Sequence, residues 1–143
     1  MPSEEYVVPL GKAEVKREGS DVTVVSTGRT VSLALAAAER LSKQAMNIEV
    51  IDLRTLKPFD MQTVSNSVRK TNRAVVVNDG WRTCGYAAEI VASIQDECFY
   101  DLDVPIQRVC NKDAPMPAAA GLERSLMVSE EQIVAACREA MSV

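Results

Sequence analysis

Histidine is absent from the 143-residue chain, and this absence removes whole classes of chemistry. No Ser–His or Cys–His pair can form for nucleophilic catalysis. No imidazole can ligate zinc or act as a base near neutral pH. The four cysteines (Cys84, Cys98, Cys110 and Cys137) include no CxxC pair. Positive charge is in deficit, with a net charge of −4, so there is no basic footprint for nucleic acid. Lys and Arg are scattered among acids, as on a mixed, solvated surface. No apolar run approaches the roughly 18 residues needed to span a membrane. Met1-Pro2-Ser3-Glu4-Glu5 is acidic and lacks the apolar segment of a signal peptide and the character of a transit peptide. Internal repeats and low-complexity segments are also missing, as are GxGxxG and a Walker lysine.

What remains is an ordinary globular composition, 47% hydrophobic and 25% charged, in a length that suits one domain with a sizeable core. Residues 12–17 alternate Ala13 and Val15 with Lys12, Glu14 and Lys16, the period of a half-exposed strand. After a turn at 18–21, the run Val22-Thr23-Val24-Val25-Ser26 predicts a buried strand. A helix is expected over 31–46, a strand over 48–53, and a helix capped by Asp60 and running to 70. A strand follows over 74–77, then a helix over 86–99 and a strand over 106–110. Residues 111–126 read as loop, because Pro115 and Pro117 block regular structure. Ser129 and Gln132 form a capping box ahead of the final helix. The alternation predicts a three-layer α/β/α fold with a five-stranded, mainly parallel sheet and one antiparallel strand.

Several residues stand out against that frame. Ser26-Thr27-Gly28-Arg29-Thr30 joins a strand to a helix N-terminus, which is either a generic anion-binding geometry or a tight turn. Asp52 and Arg54 follow the strand at 48–53, where parallel sheets meet ligands and partners. They read either as braces for their loop or as contacts to a neighbouring domain. Glu89 either supports its helix dipole or makes a contact. Cys98, Cys110 and Cys137 read as buried free thiols of a reducing compartment. Cys84, beside Gly85 near a helix start, reads as another such thiol or as a reactive one.

Four blocks in order carry a resemblance that covers nearly the whole chain. They are Val8-Pro9-Leu10-Gly11-Lys12-Ala13, Ile51-Asp52-Leu53-Arg54-Thr55-Leu56-Lys57-Pro58-Phe59-Asp60, Gly80-Trp81 followed by Gly85-Tyr86-Ala87-Ala88-Glu89-Ile90, and Asp113-Ala114-Pro115-Met116-Pro117. Together they resemble the C-terminal domain of the transketolase superfamily, and more narrowly the E1 β subunits of 2-oxo acid dehydrogenases. The first and last blocks resemble pyruvate-acting members more than branched-chain ones. Ala118-Ala119-Ala120 and Asp79 depart from the family, which often has an aromatic and a Glu there.

The resemblance implies a transketolase C-terminal-like domain over 11–143, with 1–10 as a linker from an N-terminal pyrimidine-binding domain. It implies thiamine diphosphate and Mg²⁺ in the full enzyme, bound between that other domain and an α subunit, with no catalytic, cofactor or metal residue on this chain. It implies E1 α and a second E1 β as partners in an α2β2 assembly, and docking of the peripheral subunit-binding domain of E2. By resemblance, the docking residues are Asp103, in Leu102-Asp103-Val104-Pro105, and the terminal carboxylate of Val143. The implied location is the mitochondrial matrix in a eukaryote and the cytoplasm in a bacterium. Other readings stay open: another superfamily tail, a pure dimerisation domain, or a flavodoxin-like nucleotide module with ligand near Thr27-Gly28 or Gly80-Trp81.

Overall fold

A computed structural model describes residues 7–142. Five strands form one sheet: β1 (Glu14–Arg17), β2 (Val22–Ser26), β3 (Ile48–Asp52), β4 (Ala74–Trp81) and β5 (Gln107–Asn111). Their order is β1-β3-β2-β4-β5. β2 pairs in parallel with both β3 and β4, and β4 with β5, while β1 runs antiparallel to β3. The expected single antiparallel strand is therefore the edge strand β1. The other edge strand, β5, is blunted by two arginines. Arg82 Nη1 donates to the Arg108 carbonyl (2.8 Å) and Arg108 Nη1 to the Arg82 carbonyl (3.4 Å), so one β5 carbonyl is already occupied.

Successive strand residues point to opposite faces, and both faces are apolar because helices cover both. Val24, Val50, Val75 and Val77 pack against α1 (Thr30–Ser42) and α5 (Glu130–Met141). Val25, Ile51, Ala74 and Val76 pack against α2 (Met61–Thr71) and α3 (Tyr86–Cys98). The chain steps from β2 to β3 in one direction, then back through β4 to β5. Right-handed crossovers place α1 on one face and α2 and α3 on the other.

Local chemistry sets the boundaries. Asp60 Oδ1 accepts the Thr63 N–H (3.2 Å) and caps α2, and the Ser129–Gln132 box caps α5. α1 stops at Ser42, short of the expected 46, because Ala45 takes a left-handed φ of 61° and the Met46 N–H closes on the Leu41 carbonyl. β4 runs past Val77 to Trp81 through a bulge, so that Trp81 pairs with Asn111. The segment read as loop at 111–126 contains a short helix, α4 (Ala120–Leu126), none of whose residues is buried. Its prolines precede it and do not interrupt it.

One polar seam crosses the α2 face. Glu49, only 1% exposed, sits in β3 opposite Thr23 of β2. Its carboxylate accepts from Ser67 Oγ and Lys70 Nζ, and from the Gly19 N–H at 3.1 Å. Thr23 Oγ1 lies 2.7 Å from Ser67 Oγ and 2.8 Å from Thr71 Oγ1. Hydrogen bonds to Glu49, then to Glu18, hold the Lys70 ammonium above its ordinary pKa. A buried carboxylate is tolerated when it is paired and hydrogen-bonded in this way.

Candidate functional site

Because β2 to β5 are parallel, their C-terminal ends meet at one edge of the sheet, and their N-terminal ends at the opposite edge. Five residues at about 3.3 Å each separate the two by about 17 Å.

At the C-terminal edge, the crevice between β2 and β4 is where connections diverge and where open α/β sheets bind ligands. This chain fills it with its own bonds. Asn78 Nδ2 donates to Thr27 Oγ1 (3.4 Å), and Asn78 Oδ1 accepts the Gly80 N–H (2.7 Å). Arg29 Nε lies 3.8 Å from Asp79. The Thr30 and Val31 N–H groups, which would face an anion, donate to the Thr27 and Gly28 carbonyls (both 3.2 Å). Residues 26–30 are thus a self-closed turn.

Next to it, the Asp52 carboxylate accepts the Arg54 N–H (2.9 Å), and the Arg54 guanidinium pairs with Glu14 of β1. Arg54 itself has a left-handed φ of 58°. Thr55 Oγ1 accepts the Gly11 N–H (3.1 Å) and donates to the Pro58 carbonyl (3.0 Å). Asp60 also accepts the Ala13 N–H (3.0 Å). Burial pushes the Asp60 carboxyl up, but the bonds from Ala13 and Thr63 outweigh it and bring it below its ordinary pKa.

Beyond β4, Asp113 accepts both the Thr83 hydroxyl (2.6 Å) and the Thr83 N–H (3.0 Å), and these bonds lower its pKa in that order. Asn111 is buried between two segments. Its Nδ2 donates to the Asp79 carbonyl (2.5 Å) and its Oδ1 accepts the Val128 N–H (2.8 Å). A Cβ at Gly85 would fall 1.9 Å from the Trp81 carbonyl oxygen, so only glycine fits that turn. A cavity of about 360 Å³ lies here, lined by Trp81, Thr83, Cys84, Asp113, Ala114 and Pro115. Cys84 is exposed, with a φ of 56°. Exposed apolar side chains gather on and beside this edge: Leu10, Leu56, Trp81 (55% exposed), Met116 and Leu122.

The donor set does not suit a diphosphate with its metal ion. Among the described residues no group of three or more His, Cys, Asp or Glu is placed to hold a metal, and the helix N–H groups at 30–31 are already bonded.

The N-terminal edge is built differently. Asn72, left-handed at φ 58°, ends α2. Its Nδ2 donates to the Asp101 carbonyl (2.7 Å), and its own carbonyl accepts the Asp103 N–H (2.9 Å). These bonds clamp the loop that enters β5. Asp103 is exposed and pairs with Arg73 at 3.0 Å. Beside it, Phe99 and Tyr100 meet edge to face, with centroids 5.0 Å apart. A groove of about 510 Å³ runs along Gln95, Phe99, Tyr100, Leu102, Asp103 and Pro105. The last turns of α5 reach the same end, where Arg138 Nη2 donates to Gln44 after α1 (2.7 Å). Val143 lies outside the described residues.

Asp52 and Arg54 therefore sit together at one edge and Asp103 at the other. The residues flanking Asp103 (Arg73, Phe99 and Tyr100) escaped the sequence reading. The signal available was two adjacent aromatics ahead of Asp101 and Asp103.

The family model described as transketolase, C-terminal domain, matches residues 11–133. The chain is 48% identical over 134 residues to pyruvate dehydrogenase E1 component subunit beta, mitochondrial, of Dictyostelium discoideum, covering 94% of this chain and 38% of that protein. Against the beta-1 subunit of Arabidopsis thaliana identity is 45% over 135 residues, covering 94% and 37%. Against the 2-oxoisovalerate dehydrogenase subunit beta of Bacillus subtilis it is 41% over 140 residues, covering 97% and 43%. The chain thus spans about two fifths of the length of these relatives. Among solved structures, a split gene transketolase described as an inactive beta4 tetramer superposes with a TM-score of 0.79 at 24% identity, covering 96% of this chain and 44% of that one.

Proposed function

Because the chain belongs to the transketolase C-terminal domain family, we propose that it is the C-terminal domain of a pyruvate dehydrogenase E1 β subunit, serving assembly and docking. Identity of 45–48% to such subunits across nearly the whole chain carries this reading. The branched-chain relative, at 41% identity, is nearly as similar. In the complete enzyme, thiamine diphosphate with Mg²⁺ would support oxidative decarboxylation and acetyl transfer to E2 lipoyl groups. The cofactor would lie against the pyrimidine-binding domain and the α subunit, consistent with the unsuitable donor set at this chain's own sheet edge.

In this reading the apolar C-terminal edge packs against the rest of an α2β2 assembly. Asp52 and Arg54 brace the loop behind that surface, in keeping with their bonds to each other and to Glu14. Asp103 faces the opposite way and docks a basic E2 subunit-binding domain by charge-assisted pairs. The compartment follows the source, mitochondrial matrix or bacterial cytoplasm.

Two measurements test the proposal. With thiamine diphosphate and Mg²⁺, the chain alone is expected to show no pyruvate turnover, and measurable turnover would overturn the scaffold role. Titration calorimetry with an E2 subunit-binding domain is expected to show binding that weakens at least ten-fold in Asp103→Ala. Unchanged affinity would remove Asp103 from the docking site.

A further inference from the structure

Arginines on this chain ordinarily find a carboxylate, and six of the ten pair with one. Arg82, just after β4, and Arg108, in β5, have no such partner among the described residues, yet they lie side by side. Each guanidinium reaches the other residue's carbonyl. Each keeps donors after that bond, because a guanidinium carries five N–H groups. Asp113 stands beside them, but its carboxylate is bonded to the Thr83 hydroxyl and N–H. Two like charges held this close repel, and an anion relieves the repulsion.

Both arginines line one cavity of about 370 Å³ between the edge strand β5 and α5. That is the volume of a small-molecule site. Cys110, on the same wall, registers both charges: burial pushes its thiol up, while Arg108 and then Arg82 pull it down. The opposite wall is a stripe of α5. Gln132 lies in the first turn, Ala135 and Ala136 leave room in the middle, and Glu139 follows two turns on. Seven residues of helix set Glu139 about 10 Å nearer the N-terminal edge than Gln132. Glu139 also has no cation partner among the described residues. The cavity is therefore polarised, positive toward Arg82 and negative toward Glu139.

We propose that this cavity binds a small phosphorylated molecule. Its phosphate pairs with Arg82 and Arg108 and accepts from the Gln132 amide, and its hydroxyl groups donate to Glu139. Two guanidiniums match a phosphate, which carries about −1.5 to −2 charge at pH 7, better than a carboxylate with one. Nucleic acid does not fit, since the net charge is −4 and the cavity ends on a carboxylate. The site is independent of the docking reading, because neither Asp103 nor its loop takes part.

The test is titration calorimetry of the chain with inorganic phosphate and with glycerol 3-phosphate, against chloride at equal ionic strength. Both are expected to bind with dissociation constants of about 1 mM or below, glycerol 3-phosphate the tighter. Arg82→Gln and Arg108→Gln are each expected to weaken phosphate binding about five- to ten-fold. Glu139→Gln is expected to weaken glycerol 3-phosphate and not inorganic phosphate. Arg138→Gln removes an arginine that bonds Gln44 outside the cavity and is expected to stay within about two-fold of the parent. Circular dichroism checks that each variant folds. Alkylation gives a second reading, since phosphate is expected to slow modification of Cys110 in the parent and not in Arg108→Gln. No binding by the parent, unchanged affinity in both cavity variants, or an equal loss in Arg138→Gln would overturn the site. Binding of a polyglutamate peptide but of neither phosphate would overturn the small-molecule assignment. Equal affinity for the two phosphates would strike out the role of Glu139 and assign the site to free phosphate.

Discussion

The two edges of this sheet treat polar groups in opposite ways. At the C-terminal edge, Asn78, Asp113, Asn111 and Thr55 turn inward and bond the chain's own backbone or its neighbouring loops. Among the residues left exposed there, Leu56, Trp81, Met116 and Leu122 are apolar, beside the charged Arg29, Asp79, Arg82 and Asp113. At the N-terminal edge Asn72, Arg69 and Arg73 hold the loop that enters β5, and what faces water includes Asp103, Phe99 and Tyr100. An edge stitched by internal bonds around a group of apolar side chains suits permanent packing, whereas a firm loop that exposes a carboxylate and two rings suits a partner that comes and goes. Strand polarity in a parallel sheet keeps these surfaces apart, so one can be covered while the other stays free.

The largest expected effect sets two asparagines against each other. Asn111→Leu leaves the buried Val128 N–H and the half-buried Asp79 carbonyl without partners, a loss of about 2–4 kcal/mol. Asn72→Ala forces alanine into a left-handed cap and removes one side-chain bond, a loss of about 1–2 kcal/mol. Urea melts of both variants measure the gap, and equal losses would erase the distinction between a stitched edge and a clamped one.

Acid unfolding sharpens the same contrast at Asp60. Its folded pKa is depressed, so the stabilisation is complete above the unfolded carboxylate value, about 4, and is lost as pH falls through the lower folded value. Asp60→Asn is expected to cost about 1 kcal/mol at neutral pH, because the Thr63 cap and the Ala13 bond weaken. Its stability is also expected to fall less between pH 4 and 2 than the parent's. Parallel pH curves for the two proteins would show that the loop at 53–60 is not held by this carboxylate.

The smallest effect concerns thiols. Burial pushes the Cys137 thiol up to about 12 and raises Cys98 and Cys110 as well, whereas Cys84 is exposed beside the cavity at the C-terminal edge. Brief maleimide treatment of the native chain at pH 7.5 is expected to label Cys84 first and to change stability by less than about 0.5 kcal/mol. Mass spectrometry locates the label, and modification of Cys137 at the same rate would mean that the α1–α5 layer opens readily.

Where the sequence was informative, the signal was local. Asp60 and Ser129 declare their caps within three residues, and the valine run of β2 needs no distant partner to be recognised. The extension of β4 was hidden because Asn78-Asp79-Gly80 looks like a turn, while the strand in fact continues through a bulge opposite Asn111. α4 was hidden because it buries nothing and so carries no periodic apolar signal. The Arg73–Asp103 pair and the Asn72 clamp join positions about thirty residues apart, and no pattern along the chain predicts them.

The Glu49 seam has a consequence for how α2 finds its place. An apolar helix on an apolar sheet can slide by a residue at little loss, because methyl groups have no fixed partners. α2 lacks that freedom. Ser67, Lys70 and Thr71 must all lie over Glu49 and Thr23. A slip of one position toward Val68 would set a methyl group against the carboxylate and strand its charge in the core. The seam works as a lock with a single key position, selecting one docking of α2 from several that hydrophobicity alone would accept.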